Sequence, residues 1–99
     1  MKHKKKVKLI VVKNNDEEPV FGVEIKITDG NIKFVKARGC DRDRVDQSTV
    51  IVLTIDRPIN ARKSLIVILI VDNKDASYEW SAFDKNGSKI ANGNIMASS

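Results

Sequence analysis

The stretch Leu65-Ile66-Val67-Ile68-Leu69-Ile70-Val71 decides the fold, because it places seven apolar side chains in an unbroken row. Its β-branched residues favour a strand, and successive side chains of a strand point to opposite faces of the sheet. This strand is therefore apolar on both faces, although a sheet in a two-layer fold of this size needs only one apolar face. Ile66, Ile68 and Ile70 are then predicted to point away from the core.

The rest of the chain shows the same preference for strands. Apolar and polar side chains alternate through most of it, and no segment keeps a 3.6-residue pattern. Clusters of Asn, Asp, Gly and Pro separate the alternating segments at intervals of roughly 8–12 residues. The pattern predicts seven strands, at Lys6–Lys13, Val20–Thr28, Asn31–Arg38, Ser48–Ile55, Ser64–Val71, Ser77–Asp84 and Ser88–Ile95. The third of these strands has Ile32 and Phe34 on the face opposite Lys33 and Val35.

The connections follow from turn residues. Asp29-Gly30 predicts a tight hairpin turn between the second and third strands, and Asn86-Gly87 predicts another between the last two. The charged segment Gly39–Gln47 is predicted to be a polar loop.

Short strands at this spacing are typical of an all-β fold. We predict a single-domain antiparallel β-sandwich of two sheets and about seven strands, with immunoglobulin-like or related Greek-key topology. A small β-barrel is the alternative. The domain is expected to span residues 7–97, after a basic N-terminal arm of residues 1–6.

The last predicted hairpin, from Tyr78-Glu79-Trp80 through Asn86-Gly87 to Gly93, resembles hairpins of immunoglobulin-like modules in prokaryotic surface proteins. The resemblance rests on the Asn-Gly turn. The Cys…Trp…Cys pattern of true immunoglobulin domains is absent, because Cys40 is the only cysteine.

Positive charge is concentrated at the N-terminus. The formal net charge is +5, but residues 1–13 alone hold six lysines and no acid. The remainder carries 12 basic and 13 acidic side chains. The excess charge is therefore a property of the arm and the first strand.

A basic arm is one candidate binding site, since each lysine that neutralises a phosphate releases a counterion. The predicted nucleic-acid contacts are Lys2, Lys4, Lys5, Lys6 and Lys8, with help from Arg42 and Arg44. Lysines without interleaved aromatic side chains act as point charges, so such binding would be independent of sequence.

An apolar sheet face is the second candidate site, and the one we favour. Monomeric proteins avoid large contiguous apolar patches on their surfaces. The predicted interface consists of Ile66, Ile68 and Ile70 with Ile51 and Leu53 of the preceding strand, and it predicts a homodimer or another protein partner. Alternatively, a long loop, the N-terminal strand or barrel closure covers this face within one chain.

Catalysis and metal binding find little support in the sequence. His3 is the only histidine, so a nucleophile–histidine pair would have to recruit it from the arm. No P-loop, dinucleotide glycine motif or two-histidine metal pair is present. We expect no enzyme activity, no catalytic residue, no metal site and no cofactor. A ligand-binding site of lectin type around Trp80 is a third possibility.

No apolar run reaches the about 18 residues of a membrane helix. The run that follows the basic start, Leu9–Val12, is too short for a secretory signal peptide. The chain contains 13 Lys, 12 Ile and 8 Asn, whose codons are AT-rich, as in many viral genomes. The expected location is cytoplasmic or virion-associated, with no signal peptide or transmembrane segment.

Overall fold

The computed structural model describes residues 7–38, 41–46, 48–54, 57–73, 75–91 and 93–99, and at residues 34, 37–38 and 41–46 it describes the backbone alone. The described chain forms eight strands and no helix. They are β1 (Val7–Asn14), β2 (Gly22–Ile27), β3 (Ile32–Arg38), β4 (Asp41–Asp46), β5 (Thr49–Leu53), β6 (Ser64–Val71), β7 (Tyr78–Phe83) and β8 (Ile95–Ser98).

The strands form two antiparallel sheets of four strands each. Sheet 1 has the order β3-β6-β1-β8 and sheet 2 has the order β4-β5-β2-β7. The pairs β1–β8, β2–β7, β3–β6 and β4–β5 are nested, as in one long hairpin rolled into two layers. At one side β3 of sheet 1 contacts β4 of sheet 2, which curls the sheets into half a barrel. The prediction of an all-β fold with two antiparallel sheets is confirmed.

The core lies between the two sheets and is built almost entirely of aliphatic side chains. Alternate residues of β6 point inward, so that Leu65, Val67, Leu69 and Val71 are buried. Alternate residues of the central strands of sheet 2 pack against these side chains. In the other central strands, the fully buried apolar residues are Ile10 and Val12 of β1, Val23, Ile25 and Ile27 of β2, and Val50 and Val52 of β5. Each such side chain stabilises the fold by about 1.5–3 kcal/mol.

Two polar residues of the described chain are fully buried, Asn14 and Thr54, and the side chain of Asn14 links three segments. The Asn14 side chain donates from Nδ2 to the Glu18 carbonyl at 2.8 Å and to the Ile59 carbonyl at 2.7 Å. Its Oδ1 accepts from the Asp16 N–H at 2.9 Å. Every hydrogen-bonding position of this amide except one acceptor site is thus used, which is what burial of a polar group requires.

Strand β4 occupies the segment that was predicted to be a loop. Asp41–Asp46 alternates acidic and basic residues and carries one apolar residue, Val45, so no apolar periodicity marks it. It pairs with β5 at the edge of sheet 2, with a register shift between Arg42 and Arg44. Charged residues and bulges are common on edge strands, because they discourage pairing with other chains.

The Asp29-Gly30 turn is present, but it does not form a hairpin. β2 pairs with β5 and β7, whereas β3 pairs with β6, so the turn carries the chain from sheet 2 to sheet 1. Gly30 has φ of 139°. The next residue, Asn31, donates its N–H to Asp72 Oδ1 at 2.8 Å, and this bond holds the pKa of the Asp72 carboxyl below its ordinary value.

Two further predictions of local structure are wrong for identifiable reasons. A bulge between Ile32 and Phe34 reverses the alternation of β3, so Val35 is buried on the same side as Ile32 rather than opposite it. The last strand is not Ser88–Ile95. Residue Lys89 makes only an isolated bridge to Phe83, and the strand that follows is β8, paired with β1.

Candidate interaction face

The outward side of sheet 1 carries the apolar residues predicted from β6. In the β1–β6 ladder, Val7 lies opposite Ile70, Leu9 opposite Ile68, and Val11 opposite Ile66. Residues directly opposite in a ladder share a face, and the inward residues of β6 are the buried ones. Met96 of β8, which lies opposite Lys13, is on the same side of the sheet. These six side chains and Met96 together form what we call the apolar face.

The apolar face is accessible to solvent in the described part of the chain. Val7 is 51% exposed, Leu9 45% and Met96 60%. The other four residues, Val11, Ile66, Ile68 and Ile70, are half-buried, as expected for neighbouring side chains that shield one another on the surface of a sheet.

Charge is segregated between the two sheets. The strands of sheet 1 contain five basic residues (Lys8, Lys13, Lys33, Lys36 and Arg38) and no acidic one. The strands of sheet 2 contain five acidic residues (Glu24, Asp41, Asp43, Asp46 and Glu79) and three basic ones (Lys26, Arg42 and Arg44). At the apolar face, Lys13 and Lys36 are exposed beside the apolar side chains.

The other two residues of the predicted interface lie elsewhere. Ile51 and Leu53 belong to β5 of sheet 2 and are half-buried on its outward side. Their cross-strand neighbours are Glu24 and Gly22 of β2 on one side, and Arg44 and Asp41 of β4 on the other. The structure therefore does not bring the five predicted residues together, but places them on two opposite surfaces of the sandwich.

The outward side of sheet 2, which we call the sheet 2 face, contains an apolar notch. Gly22 lies between Leu53 and Phe83 in one cross-strand row and has no side chain to fill the space between them. A cleft of about 170 Å³ opens there, and Phe21, Asp84, Lys85 and Gly87 complete its lining. A Cβ at Gly22 would stand 3.5 Å from Leu53 Cδ2, so even a methyl group would begin to close it.

Of the predicted nucleic-acid contacts, only Lys8 is described with its side chain. Its Nζ lies 5.3 Å from the centroid of the Tyr78 ring, a cation–π contact between β1 and β7 that links the two sheets. Arg42 and Arg44 lie on β4. Lys2, Lys4, Lys5 and Lys6 lie outside the described residues, so nucleic-acid binding stays a prediction.

Other candidate side chains are placed as follows. Trp80 is half-buried and packs against the core, while lining a cleft of about 300 Å³ with Glu24, Lys26, Glu79, Ser81 and Lys89. His3 and Cys40 lie outside the described residues. Within the described ranges, no group of three or more His, Cys, Asp or Glu side chains is placed to hold a metal ion. No helix capable of crossing a membrane occurs in those ranges.

Sequence reasoning missed part of the apolar face. The run Leu9–Val12 shows that β1 is apolar on both sides, but only the pairing of β1 with β6 shows that Leu9 and Val11 join Ile66 and Ile68. The position of Met96 could not be predicted from apolar alternation, because β8 has only four residues. The notch at Gly22 also depends on which strands flank β2.

Comparison of the chain with protein-family models, with curated proteins and with solved structures finds no match. The class that can be stated is therefore structural, namely an all-β protein of two antiparallel sheets.

Proposed function

We propose that this chain is a small, non-enzymatic structural or interaction module that self-associates through the apolar face of sheet 1. The observation that carries the proposal is the accessible row of apolar side chains on two neighbouring central strands, with Leu9 45% exposed at its middle. Exposed apolar surface of this continuity marks interaction sites in folded proteins.

The dimensions of sheet 1 are suitable for a contact between proteins. Four strands about 4.8 Å apart and eight residues of about 3.3 Å each span roughly 19 Å by 26 Å. Standard interfaces bury about 800 Å² per partner, so this sheet with its rim provides a small interface. The outer side of a sheet can also take another sheet as its partner, because sheets pack face to face at about 10 Å.

We propose a second copy of this chain as the partner of the apolar face. Its own surface offers a second sheet with outward apolar residues, and no other partner is needed to explain the exposed row.

The sandwich is proposed to be a Greek-key variant, because β1 and β2 lie in different sheets, whereas the first two strands of an immunoglobulin domain share one sheet. A cytoplasmic or virion-associated location remains a prediction from the sequence.

Sedimentation velocity of the full chain tests the proposal, over a range up to about 100 µM, where even a weak association of micromolar Kd is visible. We expect the sedimentation coefficient to rise with concentration, and Ile68→Glu to weaken the association at least about tenfold by placing a charge in the apolar face. Ala91→Glu, in an exposed loop, is the matched control and should associate like the unaltered chain. A chain that stays monomeric over the whole range, or an Ile68→Glu variant that associates normally, would contradict the proposal.

A further inference from the structure

We infer that the apolar face of one copy packs on the sheet 2 face of the next copy, so that the chains associate head to tail. The inference rests on the self-association proposed above and specifies the surface that receives the apolar face. It excludes a two-fold contact in which two apolar faces meet.

Charge is the first observation that favours a head-to-tail contact. The strands of sheet 1 hold basic residues and no acid, and exposed Lys13 and Lys36 border the apolar face. On the sheet 2 face, the carboxylates of Glu24 and Glu79 stand near Lys26 and Lys89, and Arg44 lies opposite Ile51 in the β4–β5 ladder. Two apolar faces in contact would bring lysines toward lysines, whereas the head-to-tail contact brings them toward a face that also holds the carboxylates of Glu24 and Glu79. Such complementarity selects partners and orientations.

Shape is the second observation. The sheet 2 face has a notch where Gly22 separates Leu53 from Phe83, and its lining is mostly apolar. The apolar face has side chains that protrude. Leu9 is exposed at its centre, and Met96 is exposed at its β8 side. An apolar side chain seated in an apolar notch is the usual centre of a stable interface.

The position of the two faces gives the geometry of the assembly. They lie on opposite sides of one sandwich, so one copy can offer its apolar face to one neighbour and its sheet 2 face to another. A contact between two different surfaces closes into a ring or grows as an open row. This arrangement also uses all five residues that the sequence predicts for the interface, Ile66, Ile68 and Ile70 on one side and Ile51 and Leu53 on the other.

Mixing two variants tests the inference directly. Ile68→Glu damages the apolar face and leaves the sheet 2 face intact. Ile51→Lys damages the sheet 2 face by adding a cation that would meet Lys13 and Lys36, and Glu24 opposite it in the ladder provides a local partner. Each variant alone should be monomeric at concentrations at which the unaltered chain associates. An equimolar mixture should form a complex of two chains and nothing larger, because only one complementary pair of faces remains.

Three other outcomes of these measurements would contradict the inference or the proposed function. If Ile51→Lys alone still associates, the contact joins two apolar faces and the inference is wrong, while the proposed function stands. If the two variants give no complex when mixed, the inference is also wrong. A monomeric unaltered chain removes the proposed function itself before the variants are compared. Circular dichroism confirms folding, and Leu9→Glu and Leu53→Lys replace any variant that does not fold.

Discussion

Leu9 and Ile68 lie directly opposite one another in the β1–β6 ladder, and both side chains point away from the core. This pair fixes the register of the two central strands of sheet 1. A slip of one residue would turn every apolar side chain of β1 to the other side of the sheet. The apolar face thus exists only in this register, and the pair provides a way to check it.

Opposite charges placed at these two positions should attract each other. We expect Leu9→Glu and Ile68→Lys each to destabilise the fold by about 1 kcal/mol, as they remove apolar contacts and strand propensity. Ile68→Lys also faces Lys36 on β3. The double variant should recover about 0.5–1 kcal/mol relative to the sum of the single changes, which is the usual strength of a cross-strand pair. Urea denaturation of the four proteins measures this coupling.

Leu9→Glu combined with Ile66→Lys is the control, because Ile66 lies opposite Val11. Equal coupling in the two combinations would contradict the register.

Asn14 should be among the polar residues most sensitive to substitution. Asn14→Asp keeps the shape of the side chain but removes the Nδ2 donors to the Glu18 and Ile59 carbonyls, and it buries a carboxylate against those oxygens. A buried polar group that loses its partners costs about 1–3 kcal/mol, and more when it is charged, so we expect a loss of about 2–4 kcal/mol. The urea midpoint at pH 7 is the measurement. Asn60→Asp, an exposed position in the same loop region as Ile59, should change stability by less than about 0.5 kcal/mol. Similar losses at both positions would show that Asn14 does not act through these bonds.

Gly30 occupies a position where a side chain cannot fit. Its φ is 139°, and a Cβ would stand 2.5 Å from Asp72 Oδ1. Gly30→Ala should therefore cost about 1–3 kcal/mol, through the strained backbone and the displaced carboxylate. Thermal unfolding followed by circular dichroism measures the effect. At Gly93 an added Cβ meets nothing within 4 Å, so Gly93→Ala is expected to leave stability within about 0.5 kcal/mol of the unaltered chain. A Gly30→Ala variant as stable as Gly93→Ala would show that the turn adapts.

Much of the fold could be predicted because the apolar pattern of single strands is local information. Seven apolar residues in a row at Leu65–Val71 require a strand with two apolar faces, and Gly87, with φ of 79°, lies in the predicted Asn-Gly turn. Strand β4 was not predicted because the sequence Asp41–Asp46 has no apolar alternation. The inward position of Val35 was not predicted because a bulge adds a residue to β3, and an alternating pattern does not show where a bulge lies.

The candidate site was harder to predict, for a different reason. That Ile51 and Ile68 both point outward follows from alternation along each strand. Whether they share a surface depends on which sheet each strand joins, and β5 and β6 are consecutive in the chain but lie in different sheets. The same holds for Gly22, whose notch is made by Leu53 and Phe83 from strands distant in sequence. Pairing between distant strands is tertiary information that a single-sequence pattern does not contain.

Stability should depend on pH through Asp72. The Asn31 N–H bond to its carboxylate holds the pKa of Asp72 below the ordinary value, outweighing the opposing effect of burial. A carboxyl whose pKa is lower in the folded chain stabilises the fold at pH values above its unfolded pKa of about 3.9, and that contribution is lost as the pH falls through the lower folded value. Asp72→Asn keeps an acceptor oxygen but cannot ionise, so the unaltered chain should be the more stable of the two at pH 6. This difference should shrink below about pH 4, the unfolded pKa of an aspartate, and disappear as the pH falls through the lower pKa of Asp72 in the folded chain. Urea midpoints of the two proteins between about pH 2.5 and 6 measure it, with an NMR titration of the Asp72 carboxyl to locate its pKa. A difference that stays constant over this range would mean that the Asn31 bond does not depend on the charge of Asp72.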